Sequence, residues 1–182
     1  MMKHLLYITI IFITLYTNAQ QLPENLKDID HKILNEHILS EVNILRKKKR
    51  RKALTNDIRL TDAGKDHAEY LSAKKTLTHR QTKKAKKNPW DRLQFYKLSF
   101  KTCGENIQYI YPSSPPPMKK EIRPSKPNSY EYLAKVLITI WAESKGHLLN
   151  MVNKDFTHTY VITKVDDKDA RLYAVQLFTS YF

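Results

Sequence analysis

The sequence predicts an α+β fold in which helices outnumber strands. Apolar residues recur at helical spacing in three segments, around residues 26–45, 60–71 and 133–141. Residues 104–111 instead alternate and are rich in β-branched and aromatic side chains, which is typical of a strand. Two further strand-like runs, 160–165 and 171–178, flank a polar turn and predict an antiparallel hairpin.

The first residues resemble a secretory signal. Lys3 supplies a short positive segment, residues 5–16 are uniformly apolar or uncharged, and Ala19 ends a stretch suited to cleavage. Twelve apolar residues are too few to span a bilayer as a helix, which needs about twenty, and no later segment is long and apolar enough. We therefore expect cleavage after Ala19, secretion or residence in the periplasm or cell envelope, and one domain over residues 20–182.

Each helix has its own signals. The first is expected to run from Leu26 into a basic segment and to project from the core there. The second begins near Leu60 with Thr61 or Asp62 as its cap, and it carries His67 on its apolar face, where a packed core histidine is the expected role.

The second half of the chain alternates between ordered and irregular segments. Residues 112–128 hold six of the eight prolines and predict an exposed, basic insertion after the first strand. Ser129 is a plausible N-cap for the next helix, and Trp141 lies on that helix's apolar stripe, where it is expected in the core. Gly146 is expected to break this helix.

The formal net charge of +14 favours anionic partners. Its densest part is a run of seven cations: Arg46, Lys47, Lys48, Lys49, Arg50, Arg51 and Lys52. Such a run is either a solvated surface or a binding surface for a polyanion, with acidic glycans or anionic lipids as the expected partners outside a cell. No aromatic residue is interleaved with these cations, so sequence-specific nucleic-acid recognition is not expected.

Cysteine and glycine are both rare. The single cysteine, Cys103, excludes an intramolecular disulfide and is expected to be a buried thiol, with a nucleophile as the alternative. Two of the three glycines, Gly104 and Gly146, directly precede Glu105 and His147. Glycine is expected where the backbone needs a positive φ or a close approach, so these two turns form the candidate site.

Six motifs occur in the order typical of one family. They are Asn43-x-x-Arg46, Leu60-x-x-Ala63-x-x-x-His67-Ala68, Leu77-Thr78-His79, Gly104-Glu105-Asn106-Ile107, Trp141-x-x-Ser144-x-Gly146-His147-x-x-Asn150 and residues 173–178. In this respect the chain resembles the short, single-domain bacterial members of the CAP superfamily, also called SCP-like extracellular domains, over about residues 32–179.

The resemblance implies a three-layer α-β-α sandwich with a small, largely antiparallel sheet, and a cleft lined by two His and two Glu. His79, Glu105 and His147 match three of these four positions. Ser144 stands where the second Glu is expected, so whether the adjacent Glu143 replaces it stays open. The chain also departs from the bacterial pattern at Lys145 and Leu148, where Pro and Arg are usual.

Three kinds of chemistry are open to His79, Glu105 and His147. Two imidazoles and one carboxylate are the ligand set of an open site for a divalent cation such as zinc. Glu105 paired with a His could instead serve as a general base. No motif marks a nucleophile for it to activate, and Ser144 is only a distant candidate. The third interpretation is a polar cleft that is structural or binds a ligand. We favour a non-enzymatic exported binding module, with a peptide or ester hydrolase, metal-dependent or not, as the alternative.

Overall fold

The structure is a computed structural model that describes residues 20–111, 128–166, 168 and 170–182. The predicted signal, residues 1–19, and residues 112–127 of the predicted insertion lie outside the described residues. The main elements are α1 (His31–Lys48), β1 (Thr55–Asn56), α2 (Thr61–Lys74), α3 (Pro89–Phe95), β2 (Thr102–Ile110), α4 (Tyr130–Glu143), α5 (Lys145–Met151), β3 (His158–Val165) and β4 (Leu172–Ser180). The predicted α+β class is confirmed.

The strands form one sheet in the order β1-β3-β4-β2. β1 pairs in parallel with β3, whereas the β3-β4 and β2-β4 pairs are antiparallel, so the sheet is largely antiparallel as predicted. In β2, Glu105 lies opposite Leu177 and Asn106 lies opposite Gln176 of the central strand. This register places the Glu105 motif on β2, an edge strand of the sheet, directly beside β4.

Two hydrophobic clusters cover the two faces of the sheet. On one face, side chains of α1 and α4, including Leu34, Leu137 and the fully buried Trp141, pack against β3 and β4. On the other face, Leu71 of α2 and Leu93 of α3 pack against the same strands. The predicted three-layer arrangement is therefore present, with Trp141 in the core. Among the described residues, no helix is both long and apolar enough to cross a bilayer.

The first helix is shorter than predicted at both ends. Leu26–Asp28 forms a separate 3₁₀ turn, and α1 starts after Asp30, whose Oδ1 accepts hydrogen bonds from the backbone N–H groups of Lys32 and Ile33 at 2.8 and 3.2 Å. At the other end, Arg50 adopts a positive φ of 55° and the chain turns back. The prediction of a projecting helix end is wrong, because this turn returns the basic segment to the body of the protein.

Two other helix predictions need correction. α2 begins at Thr61, but its N-cap position is Leu60, which makes no side-chain capping bond, so neither Thr61 nor Asp62 caps it. α4 ends at Glu143, and Ser144 is both its C-cap and the N-cap of α5, so the break lies before Gly146 rather than at it. The predicted N-cap Ser129 is confirmed, because its Oγ accepts a hydrogen bond from the Tyr132 N–H at 3.3 Å.

β1 covers only the first two residues of β3, and side chains of α1 bond to the backbone of the next stretch. Asn35 accepts a hydrogen bond from the Val161 N–H at 2.6 Å and donates one to the Val161 carbonyl at 2.8 Å. One turn earlier, His31 Nε2 accepts a hydrogen bond from the Thr163 N–H at 3.0 Å. These two side chains take the hydrogen-bonding positions that a longer β1 would occupy.

The glycines at the two motif turns differ in what they require. No glycine has a positive φ. At Gly104, an added Cβ would lie 2.7 Å from Cζ of Phe156, whose buried ring stacks on Phe178, whereas at Gly146 nothing lies within 4 Å. The expected close approach is confirmed at Gly104 only.

We expect Gly104→Ala to lower the free energy of unfolding by about 1–3 kcal/mol through overpacking. Gly146→Ala, inside α5, should instead raise it by about 0.5 kcal/mol, because alanine is the better helix former. Urea unfolding of the two variants and the wild type measures both effects. Equal losses in both variants would contradict this distinction.

Candidate functional site

The centre of the site is the carboxylate of Glu105, which β2 holds in the interior with 1% of its side chain exposed. Arg92 of α3, itself fully buried, donates a hydrogen bond from Nη2 to Glu105 Oε2 at 2.5 Å. Burial alone would raise the pKa of Glu105, but the hydrogen bond from His79 and the nearby positive charges outweigh burial and lower it. Glu105 is therefore a stable buried anion.

His79 links this buried carboxylate to the surface. Its Nδ1–H donates to Glu105 Oε1 at 2.9 Å, while 49% of its side chain is exposed. Because Nδ1–H is bonded to Glu105, Nε2 on the other side of the ring is the nitrogen that gains or loses the second proton. The structure thus brings two of the three motif residues, His79 and Glu105, into direct contact.

His147 is brought to the same region by α5. Asn106 Nδ2 donates to the His147 carbonyl at 3.2 Å, and Asn150 Nδ2 donates to the Glu105 carbonyl and to Asn106 Oδ1 at 3.1 and 2.9 Å. Burial, and then the charge of His79, lower the pKa of His147. The two imidazoles are thus within electrostatic range of each other, and two asparagines fix the helix that carries one of them to the strand that carries Glu105.

His67 is a further neighbour of Glu105. It is fully buried on α2, as predicted for a core histidine, yet its Nε2 lies 3.5 Å from Glu105 Oε1. Gln81 Nε2 donates to His67 Nδ1 at 3.2 Å and to Asp66 Oδ2 at 2.9 Å. Burial lowers the pKa of His67 to about 4, so the ring is neutral at physiological pH.

Arg92 is the residue that sequence reasoning missed. Besides Glu105, its guanidinium donates from Nη1 to the carbonyls of His79 and Lys86 at 3.1 and 3.3 Å. It therefore fixes both the carboxylate and the backbone of the loop that presents His79. A sequence signal for the helix that carries Arg92 does exist. At the start of α3, Asn88 and Asp91 form a capping box around Pro89, and this pattern is typical of a helix N-terminus.

The fourth expected position differs from the three others. Ser144 is the half-buried N-cap residue of α5 and makes no side-chain capping bond. Glu143, the last residue of α4, is exposed, in contrast to the fully buried Glu105. Neither residue supplies a second buried carboxylate.

The site does not fit the three-ligand zinc centre that the sequence admits. Both oxygens of Glu105 already face protein cations or N–H groups, namely Arg92, His79 and His67. Within the part of the chain that the structure describes, no group of three or more His, Cys, Asp or Glu side chains is suited to a metal ion. Glu105 thus orients His79 rather than offering an oxygen to a metal.

Cys103 is a poor nucleophile in this setting. It precedes Gly104 in β2 and is half buried, with its thiol free of any disulfide. Burial, followed by the charge of Glu105, raises the thiol pKa to about 12, so the reactive thiolate is not formed near neutrality. This favours the expected role as a packed thiol.

The neutral state of His67 has a consequence for stability. Because its pKa falls from 6.5 to about 4 on folding, the unfolded chain binds a proton below pH 6.5 that the folded chain does not. We therefore expect the free energy of unfolding to decrease as the pH falls from 7 to 5, and His67→Gln to decrease this dependence. Urea titrations at several pH values measure it, and parallel curves for the two proteins would contradict it.

The basic run is presented separately, around the end of α1. Arg46 is not part of that surface, because it is fully buried and donates to the carbonyls of Met151 and Asn153 at 2.8 and 2.9 Å, and also to those of Lys52 and Phe156. The other six residues are exposed, and we call residues 47–52 the basic turn. Arg51 Nε also donates to the Val152 carbonyl at 3.0 Å, so the turn lies against the C-terminal end of α5.

Similar folds occur in known bacterial proteins. An outer surface protein from Borrelia burgdorferi shares 20% identity at a TM-score of 0.64, covering 90% of this chain and 99% of that one. An extracellular SCP-domain protein from Bacillus anthracis shares 21% identity at a TM-score of 0.62, covering 87% of this chain and 44% of that one. A cysteine-rich secretory protein from Staphylococcus aureus shares 14% identity at a TM-score of 0.57, covering 84% of this chain and 40% of that one.

The family assignment rests on the sequence as well as on the fold. No curated protein sequence matches the chain significantly. The sequence model of the cysteine-rich secretory protein family, CAP, matches residues 39–178, which include every residue of the Glu105 site and the basic turn. The chain belongs to the CAP family.

Proposed function

We propose that this protein is an exported, non-enzymatic binding domain that holds anionic partners on its basic turn. One observation carries the proposal. Residues 44–54 and 145–154 contain no Asp or Glu and expose Lys145 and Lys154 in addition to the basic turn. The exposed carboxylates that border the second segment are Glu143 and Asp155. Eight exposed cations outnumber these two carboxylates and leave a positive field that attracts anions.

The fixed backbone beneath these cations supports a binding role. Arg46 and Arg51 bond to carbonyls at the end of α5, so the basic turn is attached at its base and not a loose tail. A turn held in place loses less conformational entropy on binding than a flexible one does. The field also complements the negative C-terminal ends of α1 and α5.

The contacts of Glu105 favour a ligand-binding or structural role for this site over a catalytic one. A general base needs access to a proton of a reacting group, but Glu105 is buried and bonded to Arg92 and His79. His79 and His147 remain partly accessible, so a ligand of the cleft would meet their imidazoles. A hydrolase at the same cleft is the alternative, and it would require a nucleophile that neither Ser144 nor Cys103 readily supplies.

Export rests on the residues before the described part of the chain. Lys3, the apolar segment 5–16 and Ala19 have the order of a cleaved signal. The outer surface and extracellular proteins with similar folds agree with a location outside the cytoplasm. We infer that the basic turn meets its partners in the envelope or the medium.

Binding to heparin tests the proposal. We expect the wild type to elute from a heparin column at clearly higher salt than a variant with Gln at positions 47, 48, 49, 50 and 52. Each phosphate or sulfate contact releases counterions, so the slope of log affinity against log salt should fall by several units in this variant. Arg46 and Arg51 are kept because their bonds to α5 are structural.

A charge-matched control separates this surface from net charge. Its five Gln replace exposed lysines on other elements: Lys32, Lys65, Lys74, Lys135 and Lys164. It has the same net charge as the first variant, but it should elute close to the wild type. Elution of the two variants at the same salt would overturn the proposal and leave the basic turn as a solubilising surface.

A further inference from the structure

Two exposed apolar side chains accompany the basic turn. Ile44 of α1 is 48% exposed and Leu149 of α5 is 58% exposed. Ile44 lies four residues before the end of α1, and Leu149 lies two residues before the end of α5. The C-terminal ends of these helices meet through Arg46 and Arg51, so each apolar residue lies within about one turn of a helix end that contacts the basic turn.

Each of them lies on the outward face of its helix. Ile44 lies about half a turn around the helix axis from the buried residues Val42 and Arg46, so it points away from the core. Its i+3 and i+4 neighbours are Lys47 and Lys48. Leu149 likewise faces away from the buried Met151. Neither side chain is part of the buried core, and each has a lysine one helical turn away: Lys48 for Ile44 and Lys145 for Leu149.

Building on the proposed function, we propose that the anionic partner of the basic turn is a lipid membrane surface, with Ile44 and Leu149 entering the headgroup boundary. Lysine and arginine side chains attract anionic headgroups, and adjacent apolar side chains gain from leaving water. A soluble glycan would use the charges but offers no apolar layer to these two residues. The combination of charge and exposed aliphatic groups therefore favours lipid over glycan.

The test compares vesicles with heparin. Co-sedimentation uses the exported protein and vesicles of phosphatidylcholine containing about one third phosphatidylglycerol. We expect wild-type binding to these vesicles, but not to pure phosphatidylcholine. The double variant Ile44→Ser/Leu149→Ser should bind the mixed vesicles about tenfold more weakly, because it loses the apolar contribution, yet elute from heparin with the wild type.

Ile58→Ser is the matched control. Ile58 is an isoleucine that is 70% exposed, but it precedes α2 and lies outside the two segments that form the basic region. This variant should bind vesicles as the wild type does, which excludes a general effect of lower surface hydrophobicity.

The outcomes distinguish the two proposals. The membrane inference would be overturned if the Ile44→Ser/Leu149→Ser variant bound the mixed vesicles as tightly as the wild type does. It would also be overturned if the wild type bound heparin but not the vesicles. The first result would show that charge alone holds the vesicle, and the second would indicate a soluble polyanion. Both leave the proposed function intact. Failure of the proposed function itself is seen separately, as equal heparin elution by the two charge-matched Gln variants.

Discussion

Arg92→Ala is expected to lower the free energy of unfolding by about 3–5 kcal/mol, because it leaves Glu105 as a buried carboxylate without its guanidinium partner. The substitution also removes the donor to the carbonyls of His79 and Lys86, so the loop that presents His79 loses its attachment to α3. Urea unfolding measures the loss. If the variant is too unstable to purify, the melting temperature of Arg92→Lys, which keeps the charge, gives a smaller shift in the same direction.

Two comparisons make the Arg92 result specific. Arg80→Ala removes an exposed arginine from the same loop and should change stability by less than about 0.5 kcal/mol. Arg92→Ala combined with Glu105→Gln should cost less than the sum of the two single changes, since a neutral amide needs no counter-charge. Additive losses would show that the Arg92–Glu105 contact does not contribute as the structure indicates.

Arg46→Ala is expected to lower the free energy of unfolding by about 3 kcal/mol, although it lies in a run of surface cations. Its guanidinium donates to four backbone carbonyls that come from the basic turn, the end of α5 and the segment before β3. Removing it leaves buried acceptors without a donor. Arg46→Lys should recover only part of the loss, because one ammonium group cannot reproduce the planar fork of donors.

Lys48→Ala provides the control for Arg46→Ala. Lys48 is exposed in the last turn of the same helix, and alanine keeps the helix propensity, so thermal unfolding should move by no more than about 1 °C. Equal losses at the two positions would mean that Arg46 behaves as one more surface cation.

Much of the architecture could be predicted because its signals are local and repeated. The stripes of α2 and α4 and the β3-β4 hairpin each extend over enough residues for periodicity to decide. α3 could not be found in this way, because seven residues make fewer than two turns. The ends of α1 depend on single residues, the cap Asp30 and the positive φ of Arg50, which periodicity does not report.

The motifs nominate the residues of the candidate site, but they do not give the contacts between those residues. The motif pattern pointed to His79 and Glu105, and the structure joins them by a hydrogen bond. The role of Arg92 cannot be read from the sequence, because its contact with Glu105 depends on how α3 packs on the sheet. From the sequence, Arg46 is indistinguishable from the surface cations beside it, because its role also depends on tertiary contacts. One of its carbonyl partners, Met151, is 105 residues away. In both cases an arginine looks like a solvated charge until tertiary structure supplies its acceptors.

The side chains of Asn35 and His31 along β3 have a consequence for how copies of this protein meet. An uncovered strand can recruit a strand from another molecule, and such growth continues into open-ended assemblies. With an amide and an imidazole already bonded to Val161 and Thr163, an incoming chain would first have to displace both. Two residues of one helix thus act against polymerisation through this edge of the sheet.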